Sequence, residues 1–172
     1  MEFEALISER YSVRNFIPEH LPQTVIDSIL AAGHKAPTGC NYQPQRILVL
    51  NTDEAIAKLK GCTKCHFDAP TAFLVCHNKE ESWERKYDGA RSSPVDAAIV
   101  ATHMMLAAHN EGIGCCWVMH FNPFAMRDAF GIPESIEPVA LLVMGYPSSE
   151  AKPLALHYES RPMDEVVFYD HF

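Results

Sequence analysis

Basic residues are scarce in this chain. It has 14 Lys and Arg against 22 Asp and Glu in 172 residues, which gives a formal net charge of -8. Proteins that bind nucleic acid need a positive field to attract the phosphate backbone. We therefore expect no nucleic-acid partner, and any anion site must come from the local placement of a few arginines.

Long apolar runs are missing as well. The longest one, residues 97–108, is interrupted by Thr102 and His103. It is too short for a bilayer, which takes about 20 apolar residues. The N-terminal residues MEFE have neither the basic start nor the apolar core of a signal peptide. We expect no membrane association and predict a cytoplasmic location.

The six cysteines include neither a complete set of metal ligands nor an evident disulfide pattern. A chain of this length without an export signal is expected to keep its thiols reduced. Cys62 and Cys65 form a CxxC motif, but no second motif completes a four-ligand zinc site. The pair also follows a predicted helix end, whereas a reactive dithiol usually lies at a helix start. No metal is expected, and a redox or metal role for this pair is the less favoured alternative.

The hydrophobic pattern alternates between helical and strand-like segments over one domain, residues 1–172. Spacings of i, i+3 and i+4 predict helices, short apolar runs predict buried strands, and glycine and proline mark the ends. The predicted helices span residues 2–9, 22–36, 52–61, 93–112 and 122–131. The predicted strands span residues 47–50, 71–76, 115–119 and 139–144, and a loop with some helix is predicted at 78–91.

Two segments carry more apolar surface than one small domain uses. The helix at 93–112 is apolar around nearly its whole circumference, so we expect it at the centre of the core or of a subunit interface. The C-terminal tail, residues 147–172, has apolar side chains with nothing nearby to pack on: Val166, Val167, Phe168, Tyr169 and Phe172. We expect this tail to dock on a second subunit, which predicts a homodimer.

Three segments are candidates for ligand binding. Residues 10–14 (RYSVR) bring two guanidinium groups and a hydroxyl together, which suits a phosphate. Residues 36–44 (APTGCNYQP) form a turn whose hydroxyl and amide groups suit the edge of a heterocycle. Residues 112–119 (GIGCCWVM) turn sharply from helix to strand. Taken singly, these segments also fit a solvated helix end, a capped turn and a tight connection.

Taken together and in this order, the three segments resemble the nitroreductase family of FMN enzymes. The resemblance spans nearly the whole chain. It is carried by Arg10, Ser12 and Arg14, by Ala36, Pro37, Thr38, Asn41, Gln43 and Pro44, by residues 112–117, by Gly145, Tyr146 and Pro147, and by Arg161. It implies an α+β fold with a central, mainly antiparallel sheet flanked by helices. It also implies a homodimer with exchanged C-terminal segments and a flavin site at the interface.

The resemblance assigns expected cofactor contacts. The FMN phosphate, or polar groups next to it, would be held by the first segment and the tail: Arg10, Tyr11, Ser12, Arg14 and Arg161. The ribityl chain and the isoalloxazine edge would meet Pro37, Thr38, Asn41 and Gln43. Backbone at Val118 and Met119 would approach flavin N5. No side chain is expected to act as an indispensable acid or nucleophile.

Three positions differ from the family pattern. Glu159 stands two positions before Arg161, where relatives often have a second basic residue. Gln45 follows Gln43-Pro44, where the family has Trp. His120 follows Met119, where glycine is frequent. These differences fall on the phosphate site, on one wall of the flavin pocket and on the access face.

The implied activity is transfer of hydride from NADH or NADPH, through FMN, to a small oxidised acceptor such as a nitroaromatic or a quinone. A ping-pong order is expected, since no Gly-x-Gly-x-x-Gly motif provides a separate nicotinamide site. Arg14 or Lys64 is expected to supply positive charge near flavin N1 and O2. The alternatives are an FMN storage or sensor module without significant turnover, and dehalogenation or flavin cleavage, which usually need extra lid segments.

Overall fold

Four strands and six helices follow one another along residues 2–172, which the computed structural model describes. The helices are α1 (Phe3–Glu9), α2 (Gln23–His34), α3 (Asp53–Lys60), α4 (Ser93–Asn110), α5 (Pro123–Phe130) and α6 (Met163–Val166). The strands are β1 (Gln45–Leu50), β2 (Thr71–Asn78), β3 (Gly114–Val118) and β4 (Ile136–Gly145). Two single 3₁₀ turns lie at Gly39–Asn41 and Ala155–Tyr158.

The strands form one sheet in the order β1-β2-β4-β3, and every neighbouring pair is antiparallel. Strands β2 and β4 are therefore central, and Phe73 of β2 lies between Val49 of β1 and Leu142 of β4. This arrangement confirms the predicted α+β fold with an antiparallel sheet flanked by helices.

The pleat of β2 divides the core into two layers. Phe73 and Val75 face the layer that contains α2 and α4, and Leu74 and Cys76 face the layer that contains α3 and α5. Successive strand residues point to opposite faces, so a central strand covered on both sides reads as a continuous apolar run. This is why residues 71–76 were recognisable as a buried strand.

The helix ends follow local chemistry, as predicted. The Thr52 side chain accepts a hydrogen bond from the Ala55 N–H at the start of α3. The Asn122 side chain does the same for two N–H groups at the start of α5. Gly131 ends α5 with φ +62°, a left-handed conformation that glycine adopts without steric cost. Strand and helix bounds agree with the predictions to within a few residues.

One prediction about secondary structure was wrong, and helix α4 is covered only in part by the protomer. Residues 79–91 contain no helix; they form turns closed by a single antiparallel bridge between Glu84 and Arg91. Helix α4 is buried on one side only. Val100 and Met104 are fully buried against the sheet and α2, whereas Val95 is exposed. Its apolar composition therefore exceeds what the protomer covers.

The tail, residues 147–172, enters neither core layer. Its large side chains are exposed, namely Leu154, Leu156, Tyr158, Met163, Val166, Val167, Phe168, Tyr169 and Phe172. Phe3 and Ile7 of α1 are exposed too. None of the helices formed by residues 2–172 combines the length and apolar character needed to cross a membrane.

Candidate active site

The first candidate segment lines a cavity of about 300 Å³, here called the cradle. Its walls are Arg10, Tyr11, Ser12 and Arg14 on one side and the tail residues Leu154, Leu156 and His157 on the other. The Tyr11 and His157 rings meet edge to face, with 6.3 Å between their centroids. Four residues predicted for the phosphate site are thus brought together.

The cradle is anchored to the sheet through Val13. The Val13 N–H donates to the Cys115 carbonyl at 3.1 Å, and Ser12 bridges Cys115 in a parallel sense. Val13 is buried directly over Gly114, where an added Cβ would lie 2.9 Å from the valine side chain. Burial of Val13 holds this segment against β3, and its neighbours Ser12 and Arg14 line the cavity.

Arg10 and Arg14 differ from the other arginines in their partners. Four arginines form ion pairs with carboxylates: Arg46, Arg85, Arg91 and Arg161. Arg127 donates to three backbone carbonyls after α5. Within residues 2–172, neither Arg10 nor Arg14 has a carboxylate partner; Arg14 donates to the Ser12 carbonyl at 3.0 Å. Two guanidinium groups without counter-charge therefore face one cavity in a protein of net negative charge.

Within the second candidate segment, residues 36–44, a strained turn at residues 38–43 follows Pro37. Cys40, Asn41 and Gln43 all have positive φ (47°, 59° and 50°), although none is glycine. Each such residue costs of order 1 kcal/mol and persists only where its surroundings hold it. The Thr38 hydroxyl accepts the Gln43 N–H at 3.1 Å, which closes the turn. Strain of this kind is concentrated at functional sites, so the geometry favours a binding role.

One protomer does not bring this turn and the cradle into one cavity. Thr38 and Asn41 do not line the cradle, and Gln43 lines a separate cavity of about 660 Å³ between α2 and β1. Gln45, which stands at the family's Trp position, lines that second cavity as well.

The third candidate segment ends at an open surface. Val118 is the last residue of β3 and is buried, whereas the next residue, Met119, is 67% exposed and lies outside the strand. The His120 carbonyl accepts the Thr63 hydroxyl at 2.5 Å, and the Asn122 N–H donates to the Cys62 carbonyl at 2.8 Å. These two bonds tie the segment to the loop before β2.

That loop carries the CxxC motif and Lys64. Cys62 is buried, its Sγ donates to the Lys58 carbonyl, and burial raises the pKa of its thiol. A raised pKa disfavours the thiolate, the form that attacks or binds metal. All six cysteines are free, and within residues 2–172 no three His, Cys, Asp or Glu side chains gather as a metal site. The Arg14 guanidinium lies 5.7 Å from the ring centre of Phe67 in the same loop.

Arg161 lies apart from the cradle in the protomer. It is exposed and pairs with Glu165 at 3.6 Å, while Glu159 nearby is exposed too. His157 takes a place in the cradle that the sequence did not assign. The nine histidines show no spacing that distinguishes His157, so only the path of the tail reveals it.

The fold is shared with solved structures of nitroreductase-family proteins. A solved structure of a nitroreductase-family protein from Clostridium difficile 630 is 38% identical, covers 100% of both chains and superposes with a TM-score of 0.92. A solved structure from Desulfovibrio desulfuricans, provisionally identified as a nitroreductase and in complex with FMN, has a TM-score of 0.79 at 24% identity. That second match covers 98% of this chain and 96% of the other, and at this identity it shows the fold alone.

Sequence similarity shows to which family the chain belongs. The nitroreductase family model matches residues 7–70 and 60–146. A protein from Methanothermobacter thermautotrophicus, provisionally named NADH dehydrogenase/NAD(P)H nitroreductase, is 28% identical over 155 residues, 86% of this chain and 78% of that protein. The chain belongs to the nitroreductase family. The resemblance read from residues 10–14, 36–44 and 112–117 is thereby confirmed, as is the oxidoreductase class of enzyme.

Proposed function

We propose that the protein binds FMN with the phosphate in the cradle and transfers hydride from NADH or NADPH to a small oxidised acceptor. The observation that carries the proposal is the pair of guanidinium groups, Arg10 and Arg14, that face one cavity without a carboxylate partner. A phosphomonoester supplies the missing negative charge and accepts paired hydrogen bonds from guanidinium groups.

The rest of the donor set also fits a phosphate. Ser12 provides a hydroxyl between the two arginines, and His157 and Tyr11 close the tail side of the cavity. Arg161 is four residues beyond His157, and its pair with Glu165 is an exposed one. Exposed pairs contribute about 0–1 kcal/mol, so Arg161 is able to exchange Glu165 for a bound phosphate at little cost.

The 38–43 turn contributes to the site from a second protomer in this proposal. The turn and the cradle lie on separate cavities of one chain. The exposed apolar residues of α1, α4 and the tail provide the surface for a homodimer with exchanged C-terminal segments. Pro37, Thr38, Asn41 and Gln43 then meet the ribityl chain and the ring edge of FMN that the partner holds by its phosphate.

The surface next to Val118 and Met119 serves as the reaction face. Bound FMN supplies the chemistry of accepting a hydride from NAD(P)H and passing electrons to the acceptor in a separate half-reaction. The exposed Met119 and the backbone at Val118 leave this face open, so donor and acceptor occupy it in turn, which is a ping-pong order. With Arg14 engaged by the phosphate, Lys64, in the loop whose Phe67 meets Arg14, supplies positive charge at one side of the ring.

The test compares two double substitutions. Arg10→Ala with Arg14→Ala removes both cradle charges, and Arg85→Ala with Lys86→Ala removes two positive charges from an exposed loop. We expect the first to lower FMN affinity by about 100-fold or more, because two charge-assisted contacts are lost at about 1.5–3 kcal/mol each. The control should bind FMN as the wild type does. Undiminished binding by the first variant, measured by flavin fluorescence, would contradict the cradle assignment.

Turnover separates the proposed enzyme from an FMN storage or sensor module. Anaerobic NADH or NADPH should bleach the visible absorption of the FMN-bound protein, and a nitroaromatic or quinone should restore it. A stable yellow colour in the presence of both nicotinamides would favour storage.

A further inference from the structure

The 38–43 turn is held in place by one buried carboxyl group. Asp96, in the first turn of α4, is 3% exposed. Its Oδ1 accepts the Gly39 N–H at 2.9 Å, across 57 positions of sequence. Its Oδ2 accepts the Ser92 hydroxyl at 2.8 Å. Among residues 2–172, no Lys, Arg or His forms an ion pair with this carboxyl group.

The turn needs such a fixed point because its conformation is unfavourable by itself. Three of its residues have positive φ without being glycine. The Asn41 and Tyr42 N–H groups donate back to Thr38 and Gly39 carbonyls, so these bonds are internal to the turn. The bond from Gly39 to Asp96 instead joins the turn to the rigid helix α4, and thereby sets where the turn stands relative to the sheet.

Gly39 allows this contact because it has no side chain. A Cβ at this position would lie 2.8 Å from the Ser92 Oγ and 3.3 Å from the Trp83 Cβ. The turn therefore lies close against the start of α4, at the distance that lets its N–H reach Asp96. A buried carboxyl group is costly to leave without hydrogen bonds, so the helix and the turn stabilise each other's geometry.

We propose that Asp96 is a positioning residue for the cofactor, which acts through Gly39 to present Thr38, Asn41 and Gln43 to FMN. The inference rests on the proposed function, since it requires that the turn contact FMN. Asp96 itself does not touch the cofactor. The family comparisons assign it no role, and none of the three candidate segments contains it.

The test measures FMN affinity by fluorescence titration and the visible circular dichroism of bound FMN. Asp96→Ala should weaken FMN binding by about 10-fold or more, because the turn loses a hydrogen bond to a carboxyl group. Asp96→Asn should restore affinity to within about 3-fold of wild type, because an amide oxygen still accepts the Gly39 N–H. The flavin circular dichroism should change for Asp96→Ala and not for Asp96→Asn.

Ser93→Ala is the matched control on the same helical turn. The Ser93 hydroxyl is buried and has no hydrogen-bond partner among residues 2–172. Its removal should leave FMN affinity within about 2-fold of wild type. If Ser93→Ala weakens binding as much as Asp96→Ala, the effect belongs to the start of α4 in general, and the inference falls.

Gly39→Ala approaches the same contact from the other side and leaves α4 unchanged. It decides the matter if Asp96→Ala does not fold. Its Cβ should push the turn away from Ser92 and Asp96 and weaken FMN binding in the same direction. Wild-type affinity in folded Gly39→Ala or Asp96→Ala overturns the inference alone, while a wild-type protein that binds no FMN overturns the proposed function and this inference together.

Discussion

The sheet core and the C-terminal tail contain the same kinds of apolar side chain, but the core buries them and the tail leaves them exposed. Phe73 of β2 is 0% exposed, whereas Phe168 of the tail is 53% exposed and Phe172 is fully exposed. Burial of a large apolar side chain is worth about 1.5–3 kcal/mol. The core gains this stabilisation within one protomer, and the tail does not. The comparison separates a region that is stable within one protomer from a region whose apolar surface the protomer leaves uncovered.

Helix α4 repeats the same contrast within one element. Its residues Ala97, Val100 and Met104 pack into the core layer below α2, while Val95 is exposed on another side. A helix that is apolar on a side the protomer leaves open has the composition of an interface. In the proposed homodimer, the exposed side of α4 and the tail both lie at the interface.

The cradle lies where the two regions meet. Arg10, Ser12 and Arg14 are fixed to the core through Val13 and Cys115, and His157 belongs to the tail. A ligand there contacts one wall that is rigid and one wall that depends on tail placement. Cofactor affinity should thus respond to both regions, for different reasons.

The largest expected effect is on the core. Phe73→Ala should lower the free energy of unfolding by about 3–5 kcal/mol, because loss of a fully buried aromatic ring leaves a cavity in the core layer that contains α2 and α4. Tyr87→Ala, at a 97% exposed aromatic ring, is the control and should change it by less than about 0.5 kcal/mol. Urea unfolding measures both. Equal losses for the two variants would remove the distinction between closed and open regions.

The next effect concerns the tail. Phe168→Ala with Tyr169→Ala should weaken self-association by about 10- to 100-fold, or about 1.4–2.8 kcal/mol, since aromatic side chains dominate such interfaces. Sedimentation equilibrium measures the dissociation constant, and far-ultraviolet circular dichroism should show an unchanged protomer fold. Tyr87→Ala again serves as the control. A wild-type protein that stays monomeric at all concentrations would refute the dimer outright.

Local signals explain how much of the fold was predictable. Thr52, Asn122 and Gly131 end their helices through bonds and conformations that involve a few neighbouring residues. The strand order β1-β2-β4-β3 depends instead on pairings between distant segments, which no local pattern encodes. Whether α4 lies in the core or at a subunit interface stayed open for the same reason, because the answer depends on what packs around the helix.

The candidate site divides in the same way. Arg10, Ser12 and Arg14 were predicted together because they are neighbours in sequence, and the structure places them on one cavity. His157 reaches that cavity only through the path of the tail. Asp96 belongs to none of the three candidate segments, because its bond to Gly39 crosses 57 positions and could not be read from the pattern.

The smallest expected effect concerns the free energy of unfolding at acidic pH, which depends on a buried histidine. His77 is buried on β2, and burial lowers the pKa of its imidazole below the ordinary 6.5, although the Glu137 carboxylate 3.5 Å away opposes the shift. The backbone of Asn78 and the Asp96 carboxylate also favour the protonated ring, but burial has the larger effect on its pKa.

The sign of the pH effect follows from the two pKa values of His77. The unfolded chain binds the proton at the ordinary pKa of about 6.5, whereas the folded chain binds it only at a lower pH. The contribution of neutral His77 to the free energy of unfolding is therefore complete above about pH 6.5 and is lost as the pH falls through the folded-state pKa. One such group contributes at most about 1.4 kcal/mol per pH unit. His77→Gln keeps a polar side chain without this titration, so its unfolding free energy should fall less between pH 8 and pH 5 than that of the wild type. His109, whose pKa is also lowered by burial, leaves a residual slope of the same sign in both proteins. Identical slopes in urea unfolding across that range would show that His77 is not part of the acid-sensitive core.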